Sequence, residues 1–247
     1  MKRFLIAVLL FLLTGLSMGA DSIRAPKGFA GKLYAGTLAL YGTQGPITHF
    51  VCTAFPYEKI PGGYRVMSAG HCVQGIPPGI DFSVAEQIGG PALPVTMVKA
   101  YLGDGTDFSI FELKTTKQYP VFNLGSEKGM RIGDRVINPN FALGLGKQLS
   151  RGVVSSGTLT ATRECDSNCA GGFMVQMYGA QGSSGSPVLS EKTHKVVGIC
   201  VYGFEGTVGF TVEPISKFAA FLAGPNQPHP TLHQFQIIIH EEDPDDK

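Results

Sequence analysis

Three kinds of side chain in this sequence could work together as nucleophile, base and orienting acid. The first is a serine set among glycines, in Gly179-Ala180-Gln181-Gly182-Ser183-Ser184-Gly185-Ser186-Pro187-Val188-Leu189. Glycines on both sides let the backbone adopt positive-φ or strained conformations, so its amide N–H groups can gather beside a hydroxyl instead of joining a sheet ladder. Such a cluster of donors stabilises an oxyanion. Ordinary surface turns also contain glycine and serine, so the segment gains meaning only if the chain supplies a base.

Of the six histidines, His49, His71, His194, His229, His233 and His240, only His71 has an informative neighbourhood. In Val66-Met67-Ser68-Ala69-Gly70-His71-Cys72 an apolar run ends in small residues that let the ring swing back over a cleft, and a disulfide from Cys72 to Cys52 would pin the turn. The third group should be a carboxylate buried enough to orient an imidazole. Gly103-Asp104-Gly105-Thr106-Asp107-Phe108-Ser109-Ile110-Phe111 offers two. Asp107 stands at the entrance to an apolar strand and is preferred; Asp104, between glycines, reads as a turn residue and is the fallback.

These residues need a scaffold. Strand-like runs at residues 33–40, 47–55, 64–68, 95–102 and 107–113 imply one antiparallel unit, and a polar connection over about 114–130 leads to a second. Its runs fall at 132–138, 152–161, 173–178, 186–190, 195–202 and 207–212. After Pro214, residues 215–222 carry apolar side chains at helical spacing and predict a short closing helix. The 33 glycines and 16 prolines, with abundant Val, Ile, Thr and Phe, fit strands joined by tight turns, hence an all-β class. No long amphipathic helix is expected before residue 214.

The first twenty residues, basic at Lys2 and Arg3, apolar from Phe4 to Leu13 and then small and polar, have the pattern of a secretory signal peptide. The apolar run falls well short of the ~20 residues needed to span a bilayer. Cleavage would remove two of the 20 Lys+Arg and none of the 19 Asp+Glu, leaving a formal charge of −1 and no call for a polyanion such as nucleic acid. Secretion or a periplasmic location makes disulfides the default for Cys52, Cys72, Cys165, Cys169 and Cys200, with one thiol left over. Cys165 and Cys169 could be half a zinc site, but no second Cys/His pair accompanies them, so a small-loop disulfide is expected, with no metal and no cofactor. From Gly224 the composition turns to Pro, Gln and His, then Ile237 to Ile239, then an acidic end. A mobile tail and a strand added to an exposed edge are both open readings.

Ser68-Ala69-Gly70-His71-Cys72, Asp107-Phe108-Ser109-Ile110 and Gly182-Ser183-Ser184-Gly185-Ser186-Pro187, in that order, resemble the three signature segments of chymotrypsin-fold serine proteases. Two further segments agree: Ile132-Gly133-Asp134-Arg135-Val136 with Gly152-Val153-Val154-Ser155, and Val197-Gly198-Ile199-Cys200-Val201-Tyr202-Gly203. Within the family the motifs are closer to secreted bacterial V8-like and HtrA-like members than to digestive enzymes. The order excludes an α/β-hydrolase, in which acid and histidine follow the serine. The resemblance implies two antiparallel six-stranded β-barrels with a short C-terminal helix. Residues 1–20 would be the signal peptide, 21–122 the barrel carrying His71 and Asp107, 123–224 the barrel carrying Ser184, and 225–247 an acidic tail. Only about 24 residues follow the last family segment, so no PDZ-like extension is expected.

By the same resemblance Ser184 is the nucleophile, His71 the base and then acid, and Asp107 the group that fixes the imidazole. The N–H groups of Gly182 and Ser184 would hold the oxyanion. Ser183 and Ser186 are weaker candidates for the nucleophile, because one takes the variable place before it and the other precedes Pro187. Tyr178, Gly179, Cys200, Val201, Tyr202, Gly203 and Gly209 would surround the substrate side chain preceding the cut. None is charged, which points to an apolar or small residue there. Ser183 replaces the aspartate of digestive zymogens, and the bracing cysteines near Ala180 are missing. The loop is therefore expected to rely on packing and backbone hydrogen bonds alone. The function expected is an exported endopeptidase acting on polypeptides; the alternative is a binding protein of the same fold with a silent site.

Overall fold

The computed structural model describes residues 26–74, 79–103, 105–159, 170–203 and 209–224. The signal segment, Asp104, Cys165, Cys169 and the tail from residue 225 lie outside the described residues. A helix α1 (Gly28–Gly36) precedes six strands: β1 (Leu38–Gln44), β2 (Ile47–Ile60), β3 (Gly63–Ser68), β4 (Asp81–Ala85), β5 (Ala92–Gly103) and β6 (Thr106–Lys114). They close into an antiparallel barrel in the order β1-β2-β3-β6-β5-β4. Residues 115–134 then lead to β7 (Arg135–Asn140), β8 (Gln148–Thr158), β9 (Phe173–Gln176), β10 (Pro187–Ser190), β11 (Val196–Gly203) and β12 (Gly209–Pro214). These close in the order β7-β8-β9-β12-β11-β10, which is the wiring of the first barrel used a second time. The all-β pair of six-stranded barrels is the architecture the sequence motifs imply. Among the described residues no helix is long and apolar enough to cross a membrane.

The short closing helix is present. One 3₁₀ turn over Ile215–Lys217 leads into α2 (Phe218–Ala223). β6 explains why that helix sits where it does. Its odd-numbered face turns Phe111 towards Phe82, 5.4 Å between ring centroids, whereas its even face turns Phe108 towards Phe218 and Phe221 of α2 at 5.4 and 5.6 Å. Both faces are thus dry, and each fully buried phenylalanine contributes about 1.5–3 kcal/mol.

Two features depart from the sequence reading. Residues 33–36 are helical, not extended: α1 forms although Gly28, Gly31 and Gly36 are poor helix residues. Packing imposes it, since Leu33 is buried and Phe29 stacks on His194 at 3.9 Å. Thr37 ends the helix by donating its hydroxyl to the Leu33 carbonyl at 2.7 Å. The strand β4 was not anticipated either. Its five residues are too short to stand out, yet without it β1 and β5 would have no partner to close the barrel.

Cys52 of β2 and Cys72, just beyond β3, are joined in a disulfide with a sequence separation of 20. Cys200 is a buried free thiol. Closing a loop of this size should stabilise the fold by about 3 kcal/mol. We expect the Cys52→Ala/Cys72→Ala double variant to melt about 6–12 °C lower in calorimetry; an unchanged Tm would show that the link carries no stability.

Candidate active site

The end of β3 lies beside the start of β6, with Ser68 opposite Ser109. The chain leaving β3 therefore passes Asp107, and Ser109 fixes the turn by donating its hydroxyl to the Ala69 carbonyl at 2.8 Å. Asp107 is buried, and both its oxygens are spent on one residue. Oδ1 accepts the backbone N–H of His71 at 2.8 Å, and Oδ2 lies 2.6 Å from His71 Nδ1. A ring held in this way carries its proton on Nδ1, leaving Nε2 of the neutral imidazole as the acceptor. The imidazole is partly exposed, with 32% of its side-chain surface open. Burial works against its protonation, but the charge of Asp107 and its hydrogen bond outweigh that, so the pKa is held above the ordinary histidine value.

Ser184 precedes β10 in the other barrel and is brought over by close backbone contact. Gly185, at φ +77°, sits so tightly that a Cβ there would lie 2.2 Å from Ser68 Oγ and 2.5 Å from the Thr53 carbonyl oxygen. Only glycine permits both the dihedral and the approach. Gly182, at φ +90°, is equally constrained, since a Cβ would fall 2.5 Å from Phe50 Cε1. The Ser184 hydroxyl points at the Val201 carbonyl oxygen, 3.5 Å away, and not at His71.

The amides of this loop fall into two groups. Those of Ser183, Gly185 and Ser186 donate to Ala180, Cys200 and Ser183 carbonyls at 2.9, 2.7 and 3.0 Å. Those of Gly182 and Ser184 donate to nothing among the described residues. A trans peptide points its N–H opposite to the preceding carbonyl. The Gln181 carbonyl is fixed by the Leu143 N–H at 2.6 Å, and the Ser183 carbonyl by the Ser186 N–H and hydroxyl. Both unspent N–H groups are thereby aimed away from these anchors. Leu143 reaches Gln181 from a left-handed conformation, φ 58°, rare for a branched side chain.

Side chains hold the loop as well, which corrects the expectation of packing and backbone bonds alone. Thr53, wholly buried in β2, donates its hydroxyl to the Gly182 carbonyl at 2.7 Å and accepts the Phe141 N–H at 3.1 Å. Its own N–H donates to the Ser184 carbonyl at 2.9 Å. Behind the loop, Asn138 Nδ2 donates to Ser186 Oγ at 2.8 Å and to the Pro187 carbonyl at 2.9 Å. Asn140 Nδ2 donates to Asn138 Oδ1 at 2.8 Å, and Ser183 Oγ donates to Asn140 Oδ1 at 3.4 Å. Ser183 and Ser186 are thus wholly buried structural hydroxyls. No short-range sequence signal marks Thr53, Asn138 or Asn140 for this work, because the loop residues they hold, Gly182, Ser183 and Ser186, lie more than forty positions away.

The residues expected to surround the substrate are placed variously. Tyr178 and Tyr202 are exposed, and Val201 offers its carbonyl beside Ser184. Gly179 and Gly203 both lie against the ring of Phe210, a residue the sequence reading passed over as strand core. Gly209 opens β12 opposite Gln176. The Cys200 side chain is buried in the second barrel, where burial pushes its thiol up to about 12, against a hydrogen bond from Ser186.

A second buried carboxyl lies near Asp107. Burial raises Glu213 to about 8; Lys217 opposes this, and the charge of Asp107 adds to it. Lys217 also donates to the carbonyls of Gly105 and Ala170, the latter at 2.8 Å, and so ties the turn before Asp107 to the second barrel. Among the described residues the one His/Cys/carboxylate group compact enough for a metal is Cys52, His71 and Cys72. Both sulfurs there are spent in the disulfide.

The family model described as "Trypsin-like peptidase domain" matches residues 52–199, which is 148 of the 247 residues. A solved structure of the HtrA-type protease AlgW, in a variant form with a tripeptide, superposes with a TM-score of 0.63 at 16% identity, covering 80% of this chain and 63% of that one. AlgW with a decapeptide gives a TM-score of 0.62 at 15% identity, covering 78% and 66%. The chain therefore spans less than two thirds of either. No curated protein matches it in sequence.

Thr53→Val removes the hydroxyl shared by Gly182 and Phe141 while keeping the shape. Leaving those buried groups unpaired should cost about 1–3 kcal/mol. Urea unfolding should register that loss, and Thr53→Ser should recover most of it; equal stability of Thr53→Val and the wild type would remove the clamp from the account.

Proposed function

The chain belongs to the trypsin-like peptidase domain family, and on that premise we propose that it is an exported serine endopeptidase working through Ser184, His71 and Asp107. The observation that carries this reading is the doubly held His71–Asp107 pair, with Nε2 left as acceptor, while Gly185 seats the Ser184 loop against Ser68 and Ala69, the residues that lead into His71. Rotation of the Ser184 side chain away from Val201 presents its hydroxyl to the base. Oγ attacks the scissile carbonyl carbon, its proton passes to His71 Nε2, and the imidazolium is stabilised by Asp107. The N–H groups of Gly182 and Ser184, which donate to nothing among the described residues, donate to the developing oxyanion; such a donor typically contributes about 2.7–4 kcal/mol at the transition state. His71 returns the proton to the leaving amine, and water, activated by the same base, hydrolyses the acyl-enzyme.

A polypeptide substrate is supported by the peptides carried by the AlgW structures. Export to the periplasm or outside the cell is supported by the signal-like start and by the Cys52–Cys72 bond, which suits an oxidising compartment. The uncharged lining, Tyr178, Gly179, Val201, Tyr202 and Gly203, favours an apolar or small residue before the cut over Lys, Arg or Glu. A second reading, a binding protein with a latent site, draws on the Ser184 hydroxyl facing Val201.

Fluorophosphonate labelling separates the two. The wild type should label and Ser184→Ala should not; a folded wild type that stays unlabelled would overturn the enzyme reading. The pH profile gives an independent check. His71 must be neutral to accept the proton, so kcat/KM should rise with pH through a midpoint above the ~6.5 of free histidine. Asp107→Asn removes the interactions that raise it. The midpoint should then move down and kcat fall by about 10⁴.

A further inference from the structure

Lys217 closes the 3₁₀ turn that follows β12, and only 25% of its side chain is exposed. An ammonium has three N–H donors and no acceptor. Here they meet groups from three places: the Gly105 carbonyl in the turn between β5 and β6, the Ala170 carbonyl before β9, and the carboxyl of Glu213 in β12. The Glu213 side chain has no exposed surface, and Lys217 Nζ lies 3.3 Å from its Oε1 and 3.5 Å from its Oε2. The glycines around the ammonium leave no room for a side chain. A Cβ on Gly171 would lie 2.9 Å from Nζ, and one on Gly105, where φ is +69°, would run into the Ala170 carbonyl oxygen. The tie is anchored on both sides. Gly171 donates its N–H to the Leu159 carbonyl at 2.9 Å, just beyond β8, and Glu127 in the connection between the barrels accepts the N–H and the hydroxyl of Ser216 at 3.2 and 2.5 Å.

Gly105 lies two residues before Asp107, and the β5–β6 hairpin pairs Gly103 with Thr106 and Leu102 with Asp107. Any shift of the Gly105 peptide therefore moves the backbone from which the Asp107 carboxylate reaches His71. We infer that Lys217 is a positioning residue for the His71–Asp107 pair: by drawing the Gly105 and Ala170 carbonyls together beside the buried Glu213 carboxyl, it sets the turn from which Asp107 enters β6. This rests on the peptidase reading and gives a residue of the second barrel control over Asp107. A buried Lys–Glu contact contributes little net stability, because desolvation offsets the attraction; its use here is to fix where two turns meet. Glu213 is faced by Lys217 from the 3₁₀ turn, by Asp107 from β6 and by Glu127 from the connection. Burial favours its neutral form, against Lys217 and together with the charges of Asp107 and Glu127, so that below about pH 8 it adds no second anion beside Asp107.

The test uses Lys217→Met, which keeps most of the side chain and removes its donors, and Gly105→Ala, which pushes the turn off Ala170 without changing any charge. Loss of a cation alone would favour the imidazolium and move the His71 midpoint of kcat/KM up. A loosened Asp107 moves it down, since Asp107 is what holds it up. Both variants should lower the midpoint by about half a pH unit or more. In both, kcat should fall about 10- to 100-fold with KM little changed. Where Lys217→Met fails to fold, Lys217→Met/Glu213→Gln removes both partners and should give the same changes. NMR titration of His71 in the Ser184→Ala protein reads its pKa without turnover. A lower His71 pKa in Ser184→Ala/Lys217→Met than in Ser184→Ala supports the inference even if the wild type fails to label with fluorophosphonate. A midpoint that stays or rises in folded Lys217→Met, whatever its Tm, would overturn the inference while leaving a labelled Ser184 intact.

Discussion

Thr53 is where the two barrels are made into one site. It belongs to the barrel that carries His71 and Asp107, yet its N–H and its hydroxyl both reach the loop that carries Ser184. A buried hydrogen bond contributes only about 0.5–1.5 kcal/mol net, but leaving its partner unpaired costs more. The arrangement therefore specifies position more than it adds stability. The adjoining contact of Gly185 with the Thr53 carbonyl and the Ala69 N–H removes further slack, because backbone pressed on backbone has no rotamer through which to yield. Everything the site needs, the direction of the free amides, the reach of Ser184 and the seat of His71, is referred to this seam.

The loop is unusual in how it is backed. Ser183 stands where a charged residue could have been held by an ion pair, and in its place a neutral chain runs from Ser183 through Asn140 and Asn138 to Ser186. In a low-dielectric interior such a network is strong when complete and costly when broken. It also needs no cleavage event to form, since every member belongs to the folded chain. The strained Leu143 backbone fits the same account, because its N–H is what fixes the Gln181 peptide.

Much of this could be read from the sequence, and the parts that could not share a cause. His71, Asp107 and Ser184 were visible because each sits in a local pattern: small residues before a ring, a carboxylate at a strand entrance, glycines about a hydroxyl. Strand-like runs likewise marked eleven of the twelve strands found among the described residues. What escaped depends on contacts between distant segments. α1 is helical because Phe29 and Leu33 meet residues far along the chain, against the preference of its glycines. Thr53 and Asn138 look like ordinary strand residues until their partners, 129 and 48 positions away, are brought beside them. Phe210 carries the signature of a core residue and is one; its second contact, with two glycines, is invisible to any pattern along the chain.

The disulfide has a geometric consequence apart from its stability. Cys52 is the residue before Thr53, and Cys72 is the residue after His71. One covalent bond thus joins the neighbours of Thr53, which locates the Ser184 loop, and of His71. A thermal displacement of β2 carries Thr53, and with it Ser184, in the same direction as it carries His71. The gap between serine and imidazole is a difference of two positions that move together, so the shared part of the motion cancels. The Ser184–His71 separation is thereby referred to a common origin, the Cys52–Cys72 bond.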